Sequence, residues 1–200
     1  MMVDRIDVVY LLFLFAASFI LSLTLTTIAI FLAPRFKFFD QPGDRKIHTQ
    51  PIPYGGGVAI FISIYFLLLV GWLFIHFADT KVFPEVLKIH LKGLQSEKVV
   101  TQLLGILLGG LIIFITGLID DIKGLTPKVK LMAGFLAAGI VIYTGTLVTA
   151  FVPWMALNWV ITAIWIVGIT NAFNLLDNMD GLCSGVAIIA SAILMTICLQ

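Results

Sequence analysis

Charged residues are scarce in this 200-residue sequence, and cysteine and histidine are scarcer still. Asp, Glu, Lys and Arg make up 12% of the chain while 60% is hydrophobic, whereas charged residues are roughly 25% of an average soluble domain. Two cysteines exclude a disulfide framework, and a formal net charge of +1 leaves no basic surplus for binding nucleic acid. With a mean hydropathy of +1.12, the composition predicts an integral membrane protein.

Six apolar segments predict helices that cross the lipid bilayer, since one helical crossing needs about 20 apolar residues. These segments cover residues 8–32, 58–77, 99–119, 131–147, 152–170 and 182–199. The fourth and fifth come from 40 consecutive residues, 131–170, without a charged residue or a histidine, and the turn between them is expected near residues 145–153. The predicted fold class is therefore all-α, a polytopic transmembrane bundle in a single integral-membrane domain over residues 1–200.

The order of the crossings also predicts packing and orientation. Gly105 and Gly109 are four residues apart in the third segment, a spacing that lets membrane helices approach closely. Six crossings place residues 34–57, 120–130 and 171–181 on one side, which holds seven of the twelve Lys and Arg residues. Because cytoplasmic loops are enriched in Lys and Arg, this side is predicted to face the cytoplasm.

Two adjacent carboxylates, Asp120 and Asp121, stand at the C-terminal end of the third segment. A helix already carries about half a negative charge there, so the pair is destabilising unless a cation compensates for it. One interpretation makes them solvated stop residues with Lys123 and Lys128 as partners. The fifth segment ends in carboxylates on the same side, and ionisable groups at membrane depth are functional-site hypotheses by default. The repetition therefore favours a functional site.

The second group of carboxylates lies in the run NAFNLLDNMD, from Asn171 to Asp180. Residues three apart on a helix are neighbours, so Asp177 and Asp180 are expected to meet beside an amide stripe that includes Asn171 and Asn174. Capping of the last helix would explain Asp180, but it would not explain Asp177 or the amides. Aspartates with amide oxygens, and without Cys or His beside them, suit Mg²⁺, with Mn²⁺ as the alternative, rather than zinc.

The loop before the second segment combines basic residues with glycine, reading RKIHTQPIPYGGG from Arg45 to Gly57. Gly55 and Gly56 begin a run of three glycines at a helix N-terminus, where exposed backbone N–H groups and the helix dipole favour an anion. Arg45, Lys46 and His48 add charge and donors nearby. The alternative is a flexible Pro/Gly turn with ordinary basic anchors.

Together, a basic anion site and two carboxylate groups on one face are the parts that phosphoryl transfer needs. Metal neutralises phosphate oxygens, donors position them, and a carboxylate assists the nucleophile. Their place at the bilayer surface predicts that one substrate is a lipid. The competing class is a transporter or channel with functional Asp residues, although transporter sites lie near the midplane on broken helices.

Three motifs, in this order, resemble those of the polyprenyl-phosphate N-acetylhexosamine-1-phosphate transferases, in particular the undecaprenyl-phosphate N-acetylglucosaminyl-1-phosphate transferases of glycosyltransferase family 4. The motifs are RKIHTQPIPYGG from Arg45, GLIDD from Gly117 and NAFNLLDNMDGL from Asn171. The resemblance covers residues 33–200. It implies Mg²⁺-dependent transfer of GlcNAc-1-phosphate from UDP-GlcNAc to undecaprenyl phosphate at the cytoplasmic face of a bacterial inner membrane, which initiates a cell-surface polysaccharide.

The resemblance also implies roles for individual residues. Catalysis would fall to four carboxylates, of which the first three would hold the metal: Asp120, Asp121, Asp177 and Asp180. Substrate binding would fall to seven residues of the other motifs: Arg45, Lys46, His48, Gly55, Gly56, Asn171 and Asn174.

Members of this family usually have ten or eleven crossings, and beyond the Asn/Asp motif they carry a Gly-Asp motif and a His-rich loop, which these 200 residues lack. The resemblance therefore implies the N-terminal part of such a transferase, a domain incomplete at its C-terminus, with weak or no activity alone. A third interpretation is an inactive fragment that only binds lipid or a partner. The sequence predicts no oligomeric state.

Overall fold

The structure, a computed structural model, describes residues 5–36, 38–40, 51–77, 96–149, 153–177, 179 and 181–198. Within these ranges the chain forms six helices, which are α1 (Arg5–Phe36), α2 (Gly56–Phe77), α3 (Glu97–Lys123), α4 (Pro127–Tyr143), α5 (Met155–Leu176) and α6 (Leu182–Cys198). Each predicted apolar segment corresponds to one of them. The prediction of an all-α, polytopic membrane bundle is confirmed.

Four of the helices, α1, α2, α3 and α5, are long and apolar enough to cross a bilayer. The other two, α4 and α6, have 17 residues each. At 1.5 Å per residue they are about 26 Å long, slightly less than the roughly 30 Å hydrocarbon core. Six crossings in this chain therefore remain a prediction, whereas four spanning helices follow from length and composition.

The helix bounds differ from the predicted ones where local signals override hydropathy. The segment predicted at 131–147 is the helix Pro127–Tyr143, because Pro127 at the first helical position and Thr126 before it start the helix earlier. It ends in a turn at Thr144 and Gly145, as predicted, and Gly145 has a φ of +89°. The segment predicted at 152–170 continues to Leu176, so Asn171 and Asn174 lie inside α5.

A short antiparallel β-ladder, which the sequence did not predict, joins α1 to α2. Strand β1 (Phe39–Asp40) pairs with β2 (Ile52–Pro53), with Phe39 opposite Pro53. The backbone N–H of Tyr54 donates to the carbonyl of Phe38 at 3.1 Å, and the rings of these two residues lie 5.1 Å apart. The ladder thus brings together the two ends of the predicted basic loop.

Helices α3 and α4 pack closely along small residues, as Gly105 and Gly109 predicted. A Cβ placed on Gly105 would lie 1.9 Å from Thr144 Oγ1, and one on Gly109 would lie 3.2 Å from the carbonyl oxygen of Ala137. A Cβ on Gly134 of α4 would likewise contact Val167 of α5 at 3.4 Å. The absence of side chains at these positions sets the spacing of α3, α4 and α5.

An aromatic contact links α2 to α3. The ring of Phe61 stacks on that of Phe114 with centroids 3.9 Å apart, and Phe61 also stacks on Tyr65. The Tyr65 hydroxyl donates a hydrogen bond to the backbone carbonyl of Leu107. These contacts fix the register in which α2 and α3 run antiparallel.

Candidate functional site

The contacts between helices place the ends of three predicted motifs at one end of the bundle. Phe61 on α2 meets Phe114 on α3 and Tyr65 meets Leu107, so the first turn of α2 and the last turn of α3 lie at the same end of the bundle. A three-residue connection returns α3 into α4. Gly134 in the middle of α4 meets Val167 in the second half of α5, whereas Val148, after the end of α4, donates its N–H to Thr162 Oγ1 in the first half of α5. The start of α2, the junction of α3 with α4 and the end of α5 therefore share this end, as predicted.

Asp120 lies in the last turn of α3, and contacts to both carboxylate oxygens hold its side chain in place. Its Oδ1 accepts the backbone N–H of Leu125 at 2.7 Å, and its Oδ2 is 2.5 Å from Lys130 Nζ. The side chains are only 20% (Asp120) and 31% (Lys130) exposed, so water screens this ion pair less than a surface pair. The backbone carbonyl of Asp120 also accepts the N–H of Gly124, where φ is +65°.

The alternative interpretation, in which Lys123 and Lys128 are the cationic partners, does not hold for Asp120, whose partner is Lys130. Lys130 stands four residues before Gly134 and seven before Ala137, so it lies on the face of α4 that packs into the bundle. Lys128, two residues earlier, is exposed. The spacing of small residues along α4 is the sequence signal that identifies Lys130 as the lysine on the packed face.

Asp121, adjacent to Asp120 in the last turn of α3, is exposed at the same end of the bundle. Its neighbour Lys123, also exposed, is the basic residue in that turn and offsets the negative end of the helix dipole. The two adjacent carboxylates thus differ in environment, since one is largely buried and the other faces outward.

The Asn/Asp motif forms the end of α5 and the residue after it. Asn171 and Asn174 are exposed in the last two turns, and Asn171 Nδ2 donates to the carbonyl of Val167 at 2.8 Å. Asp177, also exposed, caps the helix, which ends at Leu176. Asp177 therefore follows the last helical residue of α5, and the expected meeting of Asp177 with Asp180 stays a prediction because Asp180 lies outside the described residues.

The glycine run opens α2, as predicted. Gly55 has a φ of +118°, a conformation that favours glycine, and a Cβ there would lie 3.2 Å from the Cβ of Ala29 on α1. Gly56 and Gly57 form the first turn of α2, both exposed, and a Cβ on either meets no atom within 4 Å. Their backbone N–H groups have no intrahelical acceptor, as at any helix N-terminus.

Several predicted site residues lie outside the described part of the chain: Arg45, Lys46, His48 and Asp180. Among the residues that the structure does describe, no three His, Cys, Asp or Glu side chains come together as a metal-binding group. The described oxygen donors are nevertheless of the kind that Mg²⁺ takes, and Mg²⁺ usually binds one or two carboxylates together with substrate phosphates. The donor chemistry fits Mg²⁺ if a phosphorylated substrate completes its coordination.

The geometry defines a class of protein. It is a helical membrane bundle with carboxylates, amides and an open glycine turn at one end. The model of the family described as "Glycosyl transferase family 4" matches residues 103–200. Over that region, which includes Asp120, Asp121 and the Asn/Asp motif, the chain is similar to glycosyl transferase family 4.

Curated relatives match most of the chain. A probable undecaprenyl-phosphate N-acetylglucosaminyl 1-phosphate transferase of Bacillus subtilis is 32% identical over 183 residues, which covers 88% of this chain and 44% of the relative. An undecaprenyl-phosphate alpha-N-acetylglucosaminyl 1-phosphate transferase of Thermotoga maritima is 30% identical, covering 86% and 47%. A decaprenyl-phosphate N-acetylglucosaminephosphotransferase of Mycobacterium tuberculosis is 28% identical, covering 80% and 38%. The chain thus spans less than half the length of these relatives. No solved structure matches it.

Proposed function

We propose that this chain is part of an enzyme that transfers N-acetylglucosamine 1-phosphate from UDP-N-acetylglucosamine to undecaprenyl phosphate at the cytoplasmic face of a bacterial inner membrane. The observation that carries the proposal is the convergence of the Asp120–Lys130 junction, the end of α5 and the glycine turn of α2 at one end of a membrane bundle. The relatives named as N-acetylglucosaminyl 1-phosphate transferases support this choice of substrates.

The proposed reaction exchanges one phosphoanhydride bond for another. An oxygen of the lipid phosphate attacks the β-phosphorus of UDP-GlcNAc, and the bond from that phosphorus to the bridging oxygen breaks. UMP leaves with the bridging oxygen, and the product is undecaprenyl-diphospho-GlcNAc. Lipid phosphate is already largely ionised near neutral pH, so proton abstraction adds little, and electrostatic stabilisation is the larger contribution.

The described residues supply complementary parts of that stabilisation. Gly56 and Gly57 present backbone N–H groups and the positive end of α2 to a phosphate. Asn171 uses its Nδ2 within α5, which leaves its Oδ1 as an acceptor for a hydroxyl or amide of a substrate. Arg45, Lys46 and His48 would add cationic donors from the loop whose ends the β-ladder joins.

Mg²⁺, with Mn²⁺ as the alternative, is the metal proposed for this site. When bound, it would neutralise the charge that develops on the phosphate oxygens. Asp120, Asp121 and Asp177 are the described carboxylates at this end of the bundle, and Asp180 follows in the same motif. The exposed carboxylates of Asp121 and Asp177 are the accessible members of this group.

The position of the carboxylates favours an enzyme over a transporter. Transporter sites are built near the bilayer midplane on interrupted helices. Here Asp120 and Asp121 lie in the last turn of α3, and Asp177 follows the last residue of α5. A site at helix ends can bind a water-soluble nucleotide sugar and the headgroup of a membrane lipid together.

The proposal is tested by incubating membranes that contain the product of the whole reading frame with sugar-labelled UDP-GlcNAc, undecaprenyl phosphate and Mg²⁺. The expected result is a labelled lipid together with an equal amount of UMP, both dependent on the added undecaprenyl phosphate. Membranes without the protein are the control. Lack of any lipid product in the complete mixture would contradict the proposal.

A further inference from the structure

We infer that Asp120 and Lys130 form a positioning pair, in which Asp120 orders the junction of α3 and α4 and does not itself bind metal or substrate. The inference rests on the proposed transferase function, and it divides the work of the two adjacent carboxylates. Asp121 remains the member of the pair that faces the reactants.

All three oxygen atoms of Asp120 are engaged within the α3–α4 junction. Its backbone carbonyl accepts the N–H of Gly124 at 2.8 Å, Oδ1 accepts the N–H of Leu125 at 2.7 Å, and Oδ2 pairs with Lys130 Nζ at 2.5 Å. Each carboxylate oxygen keeps a second lone pair, but the two short contacts hold the carboxylate toward Lys130 and the Leu125 amide. Because hydrogen bonds to charged groups are among the strongest in proteins, turning this carboxylate toward a reactant is unfavourable.

The location of Lys130 gives the pair its positioning role. Lys130 lies on the inward face of α4, one turn before Gly134, which packs against Val167 of α5. The ion pair therefore links the last turn of α3 to a helix that is itself held against α5. Because Asp121 is the next residue along α3, its direction depends on the same junction.

Partial burial makes the pair act as a unit. With the Asp120 side chain 20% exposed and the Lys130 side chain 31% exposed, removing either partner leaves the other charge partly buried and unpaired, whereas removing both removes the penalty. A metal or substrate ligand has a different signature, since its loss costs the same whether Lys130 is present or absent.

The first experiment is a double-mutant cycle on the complete enzyme with Asp120→Asn and Lys130→Met, measuring kcat and KM separately. Each single variant is expected to lower kcat at least about tenfold. The kcat of the double variant should lie within about threefold of that of the less active single variant. Lys130→Arg should restore kcat to within about threefold of wild type. Lys128→Met, an exposed neighbour outside the site, is the matched control and should be unchanged.

A second cycle on Asp121 provides the contrast. Asp121→Asn is expected to cost about 100-fold in kcat both in the wild-type background and in the Lys130→Met background. If Asp120→Asn also keeps its full cost when Lys130 is Met, Asp120 contacts the reactants directly and the inference is wrong.

A readout without catalysis separates this inference from the proposed function. Hydrogen exchange, followed by mass spectrometry on peptides that cover residues 121–130, reports the Leu125 amide. Its exchange should be about tenfold faster in Asp120→Ala and also faster in Lys130→Met, but unchanged in Lys128→Met. Unchanged exchange in the first two variants would overturn the positioning pair. Faster exchange in a protein that lacks transferase activity would support the pair and contradict the proposed function alone.

Discussion

The contact between α3 and α4 is built in different ways at its two ends. Near Gly105 it consists of close backbone packing against Thr144, supported by a hydrogen bond of 2.7 Å from Gln102 Nε2 to the carbonyl of Gly145. Near Asp120 it consists of an ion pair and a hydrogen bond between a backbone N–H and a carboxylate. The contacts at the first end use no charged side chain, whereas those at the second end use the ion pair that precedes Asp121.

This difference separates two requirements of a membrane enzyme. Small residues set the distance between helices through van der Waals contact, which needs no polar groups in the bilayer. A carboxylate at a helix end needs a fixed direction, and direction comes from hydrogen bonds and charge. We therefore expect substitutions at the Gly105 end to change stability and substitutions at the Asp120 end to change activity.

The largest expected effect is on turnover, from Asp121→Asn or Asp177→Asn. Each variant should lower kcat at least about 100-fold, the scale of a lost electrostatic contact in an active site, because an amide cannot supply the negative charge that binds a metal. Both side chains are exposed, so thermal unfolding should change little. The assay is UMP release by the complete enzyme, with Lys128→Met as the control. Near-wild-type turnover in both variants would make these residues solvated anchors.

The next largest effect is on stability, from Gly105→Ala. Its Cβ would lie 1.9 Å from Thr144 Oγ1 and 2.7 Å from Thr144 Cβ, so the end of α4 must move. We expect a loss of about 2 kcal/mol in the free energy of unfolding in detergent micelles, as for other overpacked sites.

Two variants control this measurement. Gly117→Ala adds the same methyl group to α3 where no atom lies within 4 Å, and it should be neutral or stabilising. Adding Thr144→Gly to Gly105→Ala should restore most of the lost stability. If Gly105→Ala and Gly117→Ala unfold alike, the close approach of α3 and α4 is not what holds this end.

The smallest expected effect is from Gln102→Leu, which removes the side chain that donates to the carbonyl of Gly145. Hydrogen bonds between membrane helices contribute about 0.6 kcal/mol on average, so the loss of stability should be of that size. The same unfolding assay checks it. A loss as large as that of Gly105→Ala would mean that hydrogen bonding, rather than packing, dominates this end of the contact.

Hydropathy and glycine spacing predicted most of the fold, because helix formation in a bilayer follows from apolar length and close packing follows from small residues. The runs that became α1 to α6, and the packing at Gly105 and Gly109, were readable in this way. The β-ladder between β1 and β2 was not, because two-residue strands have no periodicity to read.

The candidate site was predictable in its chemistry and less so in its pairing. The sequence placed Asp120, Asp121 and Asp177 at helix ends on one side, and the structure places them at one end of the bundle. The pairing of Asp120 with Lys130 depends on the reversal at Gly124 and on which face of α4 is buried. Nearness in sequence pointed to Lys123 and Lys128 instead, because it carries no information about that face.

The most direct test of the central claim uses UDP-GlcNAc that carries ³H in the sugar and ³²P in the β-phosphate, supplied to the complete enzyme with undecaprenyl phosphate. Transfer of a sugar 1-phosphate predicts that both labels enter the lipid in the ratio of the substrate while UMP is released. Lipid that contains ³H without ³²P would show transfer of the sugar alone, and lipid without either label would show no transfer. Either result would contradict the function proposed for this end of the bundle.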